Sequence, residues 1–222
     1  VIAIGADGWR GGWAIATLTD ERRVTWSAGP DFTAVLDAYP DATIGVDMPI
    51  GTTPGPRPAD LAARTWLSAH GAARQSIFLA PDRATVDAFR RGLTHAQAMA
   101  ARENGSPGTS IQAWNLIARM VEVEAALEDR RRSAHEVHPE CSFRLLDPRI
   151  GATSKKTARG TGLRLRALQG VLDLPPLDKA PPLVPLDDLL DATVVAWTAS
   201  RIAKRAADLV ILGPDDGPRI TI

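Results

Sequence analysis

The order of the apolar runs near the start of this chain restricts its fold more than any other feature. Residues 1–6 form an apolar, β-branched run, residues 11–18 a second and residues 23–28 a third. Runs of this length and type read as strands. Their connections are short and rich in Gly or charge, which indicates antiparallel hairpins. Residues 32–38 then read as a short helix with Asp31 placed to cap it, and residues 43–47 as a fourth strand. The order β-β-β-α-β gives an α/β sheet in which the first and fourth strands are expected side by side.

Both of those strands end in an acid, Asp7 and Asp47. A carboxylate at the mouth of a buried strand is costly to bury unless something pairs with it. Pro49 stops the fourth strand and exposes what precedes it. A third acidic group, Asp188 and Asp191, opens the last helical pattern, and residues three apart share one helix face. Gathered carboxylates repel, and a hard divalent cation such as Mg²⁺ is the usual remedy. Each acid also has a plainer reading: a turn residue at Asp7 or Asp47, and a first-turn residue favoured by the helix dipole at Asp188.

A chain of 222 residues, 45% hydrophobic, can fill the core of one large domain. Its 26 basic residues match 26 acidic ones, so there is no global attraction to nucleic acid and any such binding needs a local patch. The single Cys141 excludes an internal disulfide and fits a reducing cytoplasm, the expected compartment. No run approaches the ~18 apolar residues of a membrane helix. The opening apolar run reads as a strand rather than a signal peptide, being short and without a basic start.

Beyond the fourth strand, residues 51–58 are a loop by composition. Helical patterns cover residues 59–69, 83–91, 94–103 and 111–131, so residues 52–132 are expected to form a helical insertion within one domain spanning residues 1–222. A fifth strand is expected at 133–137, a flexible basic segment at 154–159 and a helix at 163–171. A Pro-rich extended connector follows at 175–185, then a long amphipathic helix at 187–205 and a last strand at 209–212.

Two familiar motifs can be set aside. The glycines of Asp7-Gly8-Trp9-Arg10-Gly11-Gly12 precede a strand, whereas a dinucleotide fingerprint needs a helix N-terminus there. His135-Glu136-Val137-His138-Pro139 has its histidines three apart instead of four, and Pro139 is expected to block the helix that a zinc motif requires. On a strand, Glu136 and His138 project to one face, which makes Glu136 a candidate fourth ligand or general base. Glu140 and His138 are expected to cap the following turn. Lys155, Lys156 and Arg159 form the densest basic segment, either a solvated face or a phosphate-binding one. Arg57 and Arg64, with Asp60, line one helical face, where ion pairing and substrate binding are the alternatives. Trp9, beside the Asp7 turn, is a candidate to stack on a base.

These segments together resemble a prokaryotic family known as domain of unknown function 429. The resemblance runs through Gly5-Ala6-Asp7-Gly8-Trp9, Val46-Asp47-Met48-Pro49-Ile50-Gly51, Arg57-x-x-Asp60-x-x-x-Arg64 and Ser76-Ile77-Phe78. It continues through Ser110-x-Gln112-x-Trp114, Glu136-Val137-His138-Pro139-Glu140, Ser154-Lys155-Lys156 and Asp188-x-x-Asp191-Ala192. The family is regarded as predicted ribonuclease H-like nucleases, so the resemblance implies a central mixed sheet flanked by helices. It also implies a metal site of Asp7, Asp47 and Asp191, with Asp188 beside it.

The expected activity is metal-dependent hydrolysis of nucleic-acid phosphodiesters with Mg²⁺ or Mn²⁺. Asp7, Asp47, Asp191, Asp188 and Glu136 would be the acidic machinery, and Lys155, Lys156, Arg57, Arg64 and Trp9 would contact substrate. Carboxylates suit such ions, one activating water and a second stabilising the leaving oxygen. The alternatives are an ATP-using phosphotransferase of the same fold and a non-catalytic binding module. Homo-oligomerisation is left open by the sequence.

Overall fold

A computed structural model describes residues 3–19, 22–102, 108–128, 133–151 and 153–222. Expectations for residues 1–2, 103 and 129–132 lie outside the described residues. Three strands, β1 (Ala3–Trp9), β2 (Gly12–Leu18) and β3 (Val24–Gly29), form consecutive antiparallel hairpins. Helix α1 (Phe32–Ala38) follows, with the Asp31 side chain accepting from the Ala34 N–H, the cap read from the sequence. β4 (Thr43–Asp47) then runs parallel to β1, with Ala3 opposite Thr43 and Asp7 opposite Asp47. β5 (His135–Glu136) pairs parallel to β4 and closes a five-stranded mixed sheet in the order β3-β2-β1-β4-β5. The α/β class and the mixed sheet flanked by helices stand as read, consistent with a ribonuclease H-like fold.

Among the described residues, four α-helices lie between β4 and β5: α2 (Pro58–Ala69), α3 (Arg83–Arg90), α4 (His95–Ala101) and α5 (Ile111–Ala126). After β5 come α6 (Pro139–Leu146), α7 (Ala158–Val171) and α8 (Leu186–Ala203). Among the described residues no helix is long and apolar enough to cross a membrane.

The period-two alternation of the strands divides the interior. Ile4 and Ala6 of β1, Trp13 and Ile15 of β2, and Ile44 and Val46 of β4 face one side, where α1 and α3–α5 cover them. Ala3, Ala14, Ala16 and Leu18 face the other side with α6, α7 and α8. Each fully buried aliphatic side chain contributes about 1.5–3 kcal/mol of transfer free energy. Gly5 and Asp7 share the parity of Ala3 along β1, and therefore the α8 side.

α8 packs over β1, β2 and β4, and is buried nearly all round, from Leu189 to Arg201. Two glycines let it lie this close. A methyl at Gly5 would stand 1.9 Å from the Ala192 carbonyl oxygen and 2.3 Å from the Ala196 nitrogen. Its neighbour in register, Gly45, lies against Val195, 2.8 Å from where a methyl would be. Helix and sheet thus touch backbone to backbone, one turn from Asp191.

Several expectations need correction. Pro139 does exclude a helix through His135–His138, where β5 and an extended cap residue lie, but it also starts a helix that was not expected: it is the first residue of α6, where its missing N–H would have no intrahelical partner and its fixed φ suits the first turn. His138 holds the cap position of that helix, but its side chain makes no capping hydrogen bond, and Glu140 turns instead to Arg164. The segment taken as flexible, 154–159, runs into α7, whose cap is Thr157, so that helix starts five residues earlier than expected. The connector at 175–185 contains a 3₁₀ turn at Leu177–Lys179. The last apolar run forms β6 (Ile211–Leu212), which pairs with an unforeseen β7 (Ile220–Thr221) in a separate two-stranded sheet.

Candidate metal centre

Asp7 and Asp47 end neighbouring parallel strands, in register and on the α8 side of the sheet. Asp191 descends on them from the first turns of α8. Each of the three offers a carboxylate oxygen, and these oxygens lie within 4.8 Å of one another. Asp7 and Asp191 are buried, while Asp47 keeps partial exposure at the cleft. Asp191 Oδ2 accepts from the Lys155 ammonium; its Oδ1 is buried with no hydrogen-bond partner.

Three carboxylates with one nearby ammonium carry excess negative charge. Burial, followed by repulsion from Asp47 and Asp191, pushes the Asp7 carboxyl well above its usual range. Burial and Asp191 push Asp47 up to about 8. Burial also raises Asp191 to about 6, although Lys155 opposes it. Asp188, one turn before Asp191, is half-buried and adds to the repulsion at Asp7. Burial works against the Lys155 charge, but Asp191, Asp7 and Asp47 together outweigh it and hold the ammonium charged. At neutral pH the cluster retains protons that an added cation would release.

The remaining residues singled out in the sequence take different places. Glu136 lines the same cleft, yet its Oε2 accepts from Arg57 at 2.5 Å and from the Ile50 N–H at 2.7 Å. Burial raises it to about 7 against that pairing. Arg57 is fully buried, and its Nη1 also meets Asp60 at 3.2 Å. Asp60 in turn accepts from the Ala80 N–H at 2.7 Å. Arg64 donates Nε and Nη2 to the Ile77 carbonyl at 2.9 and 2.7 Å. The Arg57, Asp60 and Arg64 face of α2 therefore ties the end of β4 and β5 to the loop at 77–80. Lys156 pairs with Asp187 on the surface. Trp9 is half-buried against the α8-side core, does not line the cleft, and its carbonyl accepts from Arg119 at 3.1 Å.

The cleft over the carboxylates has a volume of about 340 Å³. Besides the acids and Lys155, its walls include apolar Met48, Ile77, Phe78 and Leu116. His138 also lines it; burial and Lys155 lower its imidazole to about 4, so the ring is neutral at pH 7. Behind the cleft, Arg164 grips both oxygens of Glu140 at 2.8 and 2.7 Å and lies 5.4 Å from the Phe143 ring centre. Sequence reading gave Phe78 no role beyond its place in the family resemblance, and did not find the Glu140–Arg164 pair. A lone Phe in a loop is indistinguishable from a core Phe, and a pairing across 24 residues leaves no local pattern.

A family model described as "Protein of unknown function (DUF429)" matches residues 5–216. No curated protein and no solved structure matches the chain.

Proposed function

The chain belongs to the DUF429 family, and from that premise and the geometry of its site we propose a metal-dependent phosphodiester hydrolase acting on nucleic acid. The observation that carries this reading is the Asp7, Asp47 and Asp191 cluster with its unpartnered, buried Asp191 Oδ1. A buried oxygen without a donor is expensive unless a cation completes it. An all-carboxylate donor set suits a hard ion, Mg²⁺ or Mn²⁺, and the three aspartates would hold it. Such an ion polarises a phosphoryl oxygen and makes water a better nucleophile at neutral pH.

The chain's own residues supply the rest. Lys155, with its side chain 31% exposed, reaches from Asp191 to the open cleft and places positive charge where phosphate oxygens would lie. Arg57 and the Ile50 N–H fix Glu136, which keeps the turn after Asp47 in place. The neutral His138 adds no charge to the cleft.

The test is calorimetric titration of Mg²⁺ and Mn²⁺ into wild type and Asp7→Asn, followed by incubation with single- and double-stranded DNA and RNA. The expected result is metal binding and hydrolysis by wild type. Asp7→Asn should lose both while keeping its circular dichroism spectrum and cooperative melting. Unchanged turnover in Asp7→Asn would remove Asp7 from the mechanism. Absence of metal binding, with or without oligonucleotide, would favour a binding module in which Lys155 serves as permanent counter-charge.

A further inference from the structure

A second cavity, of about 370 Å³, opens beside the acidic cleft. Phe78 and Gln112 line both, so the two spaces adjoin and together make up a trough. Phe78 is 54% exposed, unusual for a large aromatic ring. Its exposure is not slackness of the loop. The carbonyl before it is held by Arg64 and the N–H two residues after it by Asp60, both from α2. A rigid aromatic ring at the lip of a cavity is a stacking platform for a planar group.

The polar groups of the trough suit such a group as well. The side-chain amides of Gln75 and Gln112 are exposed at the second cavity and have no hydrogen-bond partner among the described residues. Each amide presents donor and acceptor together, the pairing that a nucleobase edge presents in return. Charge limits the length of the ligand. Lys155 and Arg64 are the only cations lining the trough among the described residues. A surface that tracks a duplex must neutralise many phosphates, whereas this one can serve about one.

We propose that the trough binds a single nucleotide unit, an unpaired base stacked on Phe78 in the second cavity with its phosphodiester at the Asp7, Asp47 and Asp191 cluster. The substrate class is then short or single-stranded nucleic acid. This rests on the hydrolase reading for the position of the phosphate, but not for the position of the base.

Binding is measured with Ca²⁺, which takes the same kind of oxygen ligands as Mg²⁺. The probes are a dinucleoside monophosphate, its abasic counterpart and a long duplex, tested on wild type, Phe78→Ala and Gln112→Ala. Wild type should bind the dinucleotide at least about fivefold more tightly than the abasic probe. Phe78→Ala should erase that preference by weakening dinucleotide binding far more than abasic binding, and Gln112→Ala should narrow it. Binding of the dinucleotide should weaken only slightly with added salt. Equal affinity for the two short probes in wild type would overturn the base site, as would tighter, steeply salt-dependent binding of the duplex. Hydrolysis is scored separately. Base-dependent binding without hydrolysis would leave the base site standing and remove the hydrolase reading; hydrolysis without base discrimination would do the reverse.

Discussion

Asp47 shows how one side chain carries the tension of the site. Its folded pKa of about 8 stands above the ordinary 3.8, so the folded state holds that proton more tightly than the unfolded chain. Stability from this group is full below about pH 4 and declines as pH rises towards about 8. Asp47→Asn keeps the shape and cannot ionise. In chelating buffer at pH 8 it should melt at a higher temperature than wild type, and the gap should close near pH 4. A variant that melts lower at pH 8 would contradict the electrostatic account. The lowered pKa values of His135 and His138 give the opposite slope, but they act in both proteins and drop out of the comparison. Arg57 is the converse case. Arg57→Ala leaves Glu136 and Asp60 buried without their cation, and urea denaturation should register a loss on the order of 3–5 kcal/mol. The acids were legible in the sequence because each ends a strand or opens a helix. The pairing of Arg57 with Asp60 was one of the two readings of that face; its pairing with Glu136 was not legible, since a partner on a distant strand leaves no local pattern.

At the scale of elements, the site depends on how closely α8 approaches the sheet. Gly5→Ala places a methyl against the Ala192 carbonyl, and backbone cannot step aside as a side-chain tip can. The substitution should cost about 1–3 kcal/mol or more. It should also weaken metal binding, because α8 carries Asp191; chemical denaturation and calorimetry on the same variant check both. Gly5→Ala with wild-type stability would mean that the helix rides higher than described. Strands β1 to β4 and the cap of α1 were readable because hydrophobic period, turn chemistry and capping agree there. α6 was not foreseen because a proline that excludes a helix before it also suits the first turn of one after it, and only the first property was used. β7 was missed because a two-residue strand leaves no periodic trace.

For the whole molecule, strand order was the most legible property. Three hairpinned strands, a helix and a fourth strand leave few ways to set β4 beside β1, and the parallel register then puts Asp7 opposite Asp47 without further instruction. The meeting of two cavities at Phe78 and Gln112 was not legible, because it depends on the loop at 77–80 coming to lie near the start of α5. Mg²⁺ should raise the melting temperature of the entire protein, by more at pH 8 than at pH 6, since protons compete for the same oxygens. A shift independent of pH would place the ion elsewhere. The Lys155–Asp191 contact has a bearing on how such a protein lives in a cell. A chain that brings its own counterion can mature and persist before any metal reaches it. On the proposed reading, ion supply would then govern how many copies are at work more than how many copies fold.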